Sequence, residues 1–295
     1  MIPTDIKLLN QLHANDDIRT VEELIKKFKD RHAVVMESLN TDPIPESWRG
    51  ADRDTAVLEI LAPFNIYAVL SIGIYEGFHA KEMAILNNAL FTYNRLKYYK
   101  HKINQSGYDH CIYFENSIES FAGNDIALVR NMFQPELGLS KNGHRFLVAG
   151  ANLIMTMLWD NAELKEESQK GAAKFLTRKN GRTDDLCVNY LLAIMNQDMA
   201  KASEYLAESC QLYKKNGFVH NFRNPFLKVF GVLIHGMYNM AYHFLPADKF
   251  AQLVQPDHTV FWKEFADYNK ATGFTPGKPF IVFEGELNGL NKIYE

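Results

Sequence analysis

The sequence is poor in the features that announce a compartment or a chemistry. It has three cysteines in 295 residues, Cys111, Cys187 and Cys210. An odd number at wide spacing makes neither a disulfide framework nor a paired Cys-x-x-Cys zinc site, and fits reduced thiols in a cytosol. The opening Met1-Ile2-Pro3-Thr4-Asp5 lacks a basic segment followed by an apolar one, so no secretory signal is expected. Long apolar runs are missing as well. The two best, Ile60 to Tyr75 and Phe226 to Leu245, are interrupted by Pro63, Asn65, Lys228 and His235. Both fall short of the ~20 nearly uninterrupted apolar residues of a membrane span. The expectation is a cytoplasmic protein with no membrane partner.

An excess of either charge is also absent. Residues 1–100 hold 12 basic and 14 acidic side chains, residues 101–215 hold 13 and 14, and residues 216–295 hold 7 and 7. A nucleic-acid binder needs a basic domain or stripe to neutralise phosphates, and a nucleic-acid mimic needs a large acidic excess. The totals offer neither, so no nucleic acid is expected as a partner.

Catalytic motifs are missing in turn. There is no Gly-x-Ser-x-Gly elbow, no Walker loop and no His-Glu-x-x-His helix, and Thr275-Pro276-Gly277-Lys278-Pro279 lacks the glycine spacing that cradles phosphate. Glu76-Gly77-Phe78-His79 puts a carboxylate and an imidazole on one side of a helix, as in di-iron bundles. That chemistry needs a second Glu-x-x-His and two further glutamates on facing helices, and the sequence has no second copy. No metal or cofactor is therefore expected. His110 beside Cys111 suggests a nucleophile, but catalytic Cys–His couples assemble across space, and a buried structural thiol is the better reading.

What is present is helical. Hydrophobic residues make up 47% and charged residues 23%, ordinary for a folded chain with a substantial core. Thr20 and Glu23 form a capping-box pattern ahead of a helix over about Val21 to Leu39, which Pro43, Pro45 and Gly50 bring to an end. From Asp54 to Lys102 the apolar spacing predicts two helices or one kinked pair, broken at Pro63, Gly73 or Gly77.

The middle carries a spacing of 37. Phe121, Leu158 and Met195 recur at that interval at the ends of three apolar helices, and the turns after them contain Gly123-Asn124-Asp125, Asp160-Asn161-Ala162 and Asn196-Gln197-Asp198. Ile118, Met155 and Leu192 line up one turn earlier. So do Ser117, Ile154 and Leu191, and Phe114, Ala151 and Val188. Short polar side chains at the turns can cap the helix that follows, and second helices are predicted over Ile126–Phe133, Glu163–Thr177 and Met199–Lys214. Helix, turn and helix at this period predicts an all-α chain of antiparallel helix pairs in a tetratricopeptide-like or α-solenoid-like stack. The chain then divides into 1–107, an N-terminal helical region, 108–215, the repeats, and 216–295, the C-terminal helices and tail, together one continuous structural unit. After Pro225 a helix to about Leu245, a start at Pro246 and a helix over His258–Ala271 are expected. Pro279 to Phe283 reads as a short strand or an extended arm, closing an irregular tail.

Two places invite a binding role. On the helix around His235-Gly236-Met237-Tyr238-Asn239-Met240-Ala241-Tyr242-His243, the side chains of His235, Tyr238 and Tyr242 share one face, as a recognition surface or a core helix with satisfied rings. Glu163, Glu166, Glu167, Asp184 and Asp185 sit at helix starts, where the macrodipole favours carboxylates, and could also border a groove for a basic partner.

The stretch Tyr190-Leu191-Leu192-Ala193-Ile194-Met195-Asn196-Gln197-Asp198, followed by Ala202, Tyr205-Leu206 and Tyr213-Lys214-Lys215, resembles the helix, acidic turn and helix of the all-α "immunity protein 49" class. Phe121-Ala122-Gly123-Asn124-Asp125 with Leu128-Val129-Arg130 looks like an earlier turn of the same kind. The resemblance covers about residues 108 to 215. It implies a bacterial, cytoplasmic, non-catalytic protein that binds a cognate toxin or effector and blocks it. Two other readings use the same residues. One is a helical-repeat adaptor or regulator binding a peptide or protein, and the other an all-α metal-dependent enzyme built around Glu59, Glu76, His79 and His235.

Overall fold

A computed structural model describes residues 3–41, 53–102, 107–213 and 224–295, and every regular element among them is helical. The turn expected at Pro43, Pro45 and Gly50 lies outside the described residues. Contacts divide the chain into two compact units, one of Asn10–Asn104 with Gly277–Glu295 and the other of Met1–Leu9 with Gln105–Pro276. The C-terminal third contributes to both units: its helices belong with the repeats, and its tail with the N-terminal helices.

The chain begins with α1 (Pro3–Ala14), of which only the part from Asn10 belongs to the first unit, and α2 (Val21–Thr41) follows in that unit. The Thr20 hydroxyl oxygen accepts from the Glu23 amide at 3.2 Å, and Glu23 reaches back to the Arg19 amide at 2.7 Å, one residue before the cap itself. Where two helices were expected there are three, α3 (Arg53–Leu61), α4 (Ile66–Ala80) and α5 (Met83–Lys102). The breaks fall where the backbone turns left-handed, at Asn65 (φ 51°) and Lys81 (φ 56°), and the first follows Pro63, which has no N–H to give. Gly73 and Gly77 are not breaks. They lie inside α4 against α5, and a Cβ on Gly73 would collide with that of Ala89. No single helix among the described residues is long and apolar enough to cross a membrane.

The tail is an extended arm ending in a 3₁₀ helix over Gly285–Tyr294. It pairs with no strand because its amides go to side chains of α5: Lys278 donates to Asn88 Oδ1 (2.8 Å) and Phe280 to Thr92 Oγ1 (2.9 Å). The Tyr294 hydroxyl then closes on the Ile281 carbonyl at 2.6 Å.

The second unit contains the three predicted helix pairs. They are α6 (Phe114–Ala122) with α7 (Ile126–Met132), α8 (Arg145–Trp159) with α9 (Ala162–Leu176), and α10 (Arg182–Met195) with α11 (Met199–Leu212). Each turn is built alike. A non-glycine residue adopts a positive φ (Asn124 58°, Asp160 45°, Gln197 55°), and the next side chain caps the second helix. Asp125 accepts from the Leu128 amide, Asn161 from those of Glu163 and Leu164, and Asp198 from that of Lys201, all at 3.0–3.1 Å. Left-handed backbone costs about 1 kcal/mol or more outside glycine, and the cap returns a similar amount. The columns Phe114–Ala151–Val188 and Ser117–Ile154–Leu191 are buried, whereas at the helix ends only Phe121 is, with Leu158 and Met195 half-buried.

Beyond a 3₁₀ turn at Pro225–Lys228 come α12 (Val232–Phe244), α13 (Ala247–Phe250) and α14 (Lys263–Ala271). The predicted long helix is interrupted because the Gly231 amide leaves it for the Val260 carbonyl (2.8 Å). α12 packs directly on α6, and a Cβ on Gly236 would collide with the Ile118 carbonyl. Gly236→Ala is therefore expected to lower the free energy of unfolding by about 3 kcal/mol, the range of overpacked cores, against about 1 kcal/mol for Asn161→Ala, which loses only a cap. Urea unfolding followed by circular dichroism checks both, and equal losses would remove the packing argument.

Candidate functional site

Of the three side chains proposed on α12, two are core. His235 is fully buried between the parallel rings of Phe230 (4.7 Å) and Phe261 (4.5 Å), and its Nε2 accepts from the Trp262 amide at 2.9 Å. A nitrogen that accepts in a dry site cannot also carry a proton, and burial lowers the pKa to about 3. Tyr238 is also fully buried, with the Gln255 side chain donating to its hydroxyl at 3.4 Å. The reading of His235 and Tyr238 as a recognition face is therefore corrected: their face is turned to Phe250, Phe261 and Phe265. Tyr242 alone reaches solvent, 38% exposed and stacked on Phe274 at 4.0 Å. On the other face of α12, Asn239 is buried and donates to the Phe121 and Ala122 carbonyls (3.2 and 3.1 Å). His243 sits against Phe121, its pKa brought down to about 4 by burial and then by Arg130.

The acidic helix starts separate in the same way. Asp184 is buried, because the first turn of α10 faces inward along the line that continues to Cys187 and Val188. It is withdrawn as a partner contact. Asp185 is half-buried and accepts from the Asn180 side chain at 2.9 Å. Glu163, Glu166 and Glu167 are exposed in the first two turns of α9, with Glu166 paired to Lys170 at 2.6 Å.

The thiols are enclosed. Burial pushes Cys111 up to about 11, Cys210 up to about 12 and Cys187 higher still, so all three are protonated near neutral pH. Cys111 donates to the Asn142 carbonyl (3.5 Å), and the neighbouring Asp109 carboxylate holds the thiol further toward its protonated form. Beside it, Asp109 accepts from the Ser140 hydroxyl and from the amides of Cys111, Lys141 and Asn142. Burial alone would raise its pKa, but these four donors outweigh that and hold the carboxyl far below the usual range. The carboxylate thereby ties the chain at Asp109 to the loop at residues 140–142. Three of its partners lie more than thirty residues away, which sequence spacing does not reveal, and only the Cys111 amide is local.

In the first unit, the Glu76 pKa is raised by burial and then by Glu22, while His79 bonds Asn10 Oδ1 through Nε2 at 2.7 Å. No cluster of three or more metal-ligating side chains occurs among the described residues.

Concavities occur among the described residues of both units. One of about 470 Å³ in the first unit is lined by both signs, Arg53 and Lys292 with Asp54 and Glu286. The other, of about 210 Å³, lies between α8 and α9, and its charged lining is Lys141, Arg145, Lys174 and Arg178, with no carboxylate. Sequence reasoning missed these four. They come from two helices and a loop, and the only available signal was the basic ending of α9. No protein-family profile matches the chain, and no curated protein or solved structure is significantly similar to it.

The buried imidazoles set an acid limit. With pKa values held at about 3 and about 4 in the fold against about 6.5 unfolded, His235 and His243 take up protons on unfolding whenever the pH is below about 6.5. Stability is then full above that pH and falls as the pH drops toward 4. Below pH 4 the Asp109 carboxylate adds a loss of the same sign. Unfolding midpoints in urea between pH 7 and 4 are expected to fall by at least the equivalent of about 2 kcal/mol. His243→Gln is expected to flatten part of that slope, and an unchanged slope would show that the imidazole is not buried neutral.

Proposed function

We propose that this protein works by binding another protein and performs no chemistry of its own, as a cytoplasmic immunity protein that neutralises a cognate bacterial toxin. One observation carries the reading: the three thiols and the imidazoles of His235 and His243 are sealed while a charged flank is exposed. Cys111, Cys187, Cys210, His235 and His243 are enclosed and held neutral, and the outward flank of α9 presents Glu163, Glu166 and Glu167. Enclosed neutral groups stiffen a scaffold, and exposed carboxylates on a rigid helix steer a basic partner and set its register. The repeated turns support the same reading, since a stack of capped helix pairs in a tetratricopeptide-like manner holds such a flank in fixed geometry.

Co-expression with the toxin encoded beside its gene is expected to protect cells, and equal killing with and without the protein removes the proposal. The triple variant Glu163→Lys, Glu166→Lys and Glu167→Lys is expected to weaken toxin binding about 10-fold or more, chiefly through a slower and less salt-sensitive association. Surface plasmon resonance at two ionic strengths measures this. Unchanged association moves the contact off α9.

A further inference from the structure

The concavity between α8 and α9 carries positive charge without compensation. Lys141 and Arg145 approach it from the start of α8, and Lys174 and Arg178 from the end of α9, all four exposed at their tips. Among the described residues none of the four enters an ion pair. The loop carboxylate next to the Lys141 backbone, that of Asp109, faces four neutral donors and does not line the concavity.

A bland account covers only half of this set. Cations at the C-terminal end of α9 suit that helix dipole, so Lys174 and Arg178 need no ligand. The same dipole argument runs against the other two. Arg145 is the first residue of α8 and Lys141 lies just before it, where the helix end is itself positive. The first turn of α8 has no acidic residue, and its cap, His144, makes no capping side-chain bond. Like charge is thus gathered at a positive helix end, facing two further cations.

The shape of the site agrees. Its wall on α9 includes Gly171, in mid-helix, where a Cβ would meet nothing within 4 Å. A glycine there weakens the helix without being required by packing, and it leaves the mouth open. The floor is Val148, Ala149 and Phe175, with Asn152 and Ser168 at the back, both committed to bonds with Ser140 and Thr156.

We propose that this concavity is a binding site for the phosphate group of a small phosphorylated ligand. Four cations exceed what one carboxylate would neutralise, and two guanidinium forks match the oxygens of a tetrahedral dianion. The volume of about 210 Å³ admits a phosphate or diphosphate with a small body resting on Val148 and Phe175. This inference stands apart from toxin binding: protection of cells tests that reading, and the titrations below test this one.

The test is isothermal titration of the full chain with inorganic phosphate and with pyrophosphate, against sodium chloride at matched ionic strength. Saturable binding is expected, tighter for pyrophosphate and weakening as salt rises. Arg145→Gln with Arg178→Gln should weaken it at least 10-fold. Lys201→Gln, which removes an exposed charge paired with Asp198 on α11, should change it less than 2-fold. Gly171→Glu, which hangs a carboxylate into open space at the mouth, should also weaken it at least 10-fold while the unfolding transition stays cooperative. Titrations that superpose on chloride, or that weaken equally in Lys201→Gln, overturn the proposal. So does a glutamate-rich peptide that saturates the same arginines when phosphate does not.

Discussion

The contact between α6 and α12 is the constraint from which most of the second unit follows. Gly236 lets α12 come so close to Ile118 that no side chain fits between them, and Asn239, one turn on, donates to the last two carbonyls of α6. Those carbonyls lie at the open end of the helix, where that of Phe121 otherwise meets only turn amides, so an amide from a neighbouring helix helps to cap them and fixes the register of the pair. Once α12 is placed, its other sides are placed with it. The Tyr190 hydroxyl bonds the Met237 carbonyl at 2.7 Å and brings in α10, while His235 receives the Trp262 amide and brings in the start of α14. Along most of its length α12 has no face left for a partner, which is why His235 and Tyr238 are structural and only Tyr242, near its end, reaches solvent.

The three turns show a different economy. Each spends one left-handed residue and recovers a helix cap immediately after it, so the cost and the gain are adjacent in the chain. Such a device needs no tertiary context, and it can be copied along a chain while the helix faces diverge. That divergence is visible in the columns. The inner positions 114, 151 and 188 stay buried in all three pairs, while the helix-end positions 158 and 195 open toward solvent where 121 is closed over by His243 and Phe244.

What could be read from sequence follows the same division between local and distant causes. The helix pairs were legible because Asp125, Asn161 and Asp198 act within three residues of themselves, and the α2 start because Thr20 and Glu23 do likewise. The extra break at Lys81 was not, since lysine carries no turn signal, and the glycines that did carry one were serving the close approach of α5. His235 and Tyr238 were ambiguous for a physical reason. An amphipathic ring is equally suited to a wet surface and to a core that supplies one hydrogen bond, and the deciding groups, the Trp262 amide and the Gln255 side chain, lie 27 and 17 residues away.

Charge was the least legible property, because a total conceals arrangement. Residues 101–215 hold 13 basic and 14 acidic side chains, which suggests an unpolarised surface. The antiparallel turn at Asp160 folds that balance into two poles. It brings the start of α8 beside the end of α9, so Lys141 and Arg145 meet Lys174 and Arg178, while Glu163, Glu166 and Glu167 are left together at the opposite end of α9. In α9 both poles agree with the helix dipole and cost nothing to maintain. In α8 the basic pole opposes it, and no carboxylate in the first turn of the helix or in the lining of the concavity relieves the opposition. The asymmetry between the two helices, more than the number of cations, distinguishes a site from a solvated face. A solvated face would have been free to place its charges where each helix prefers them.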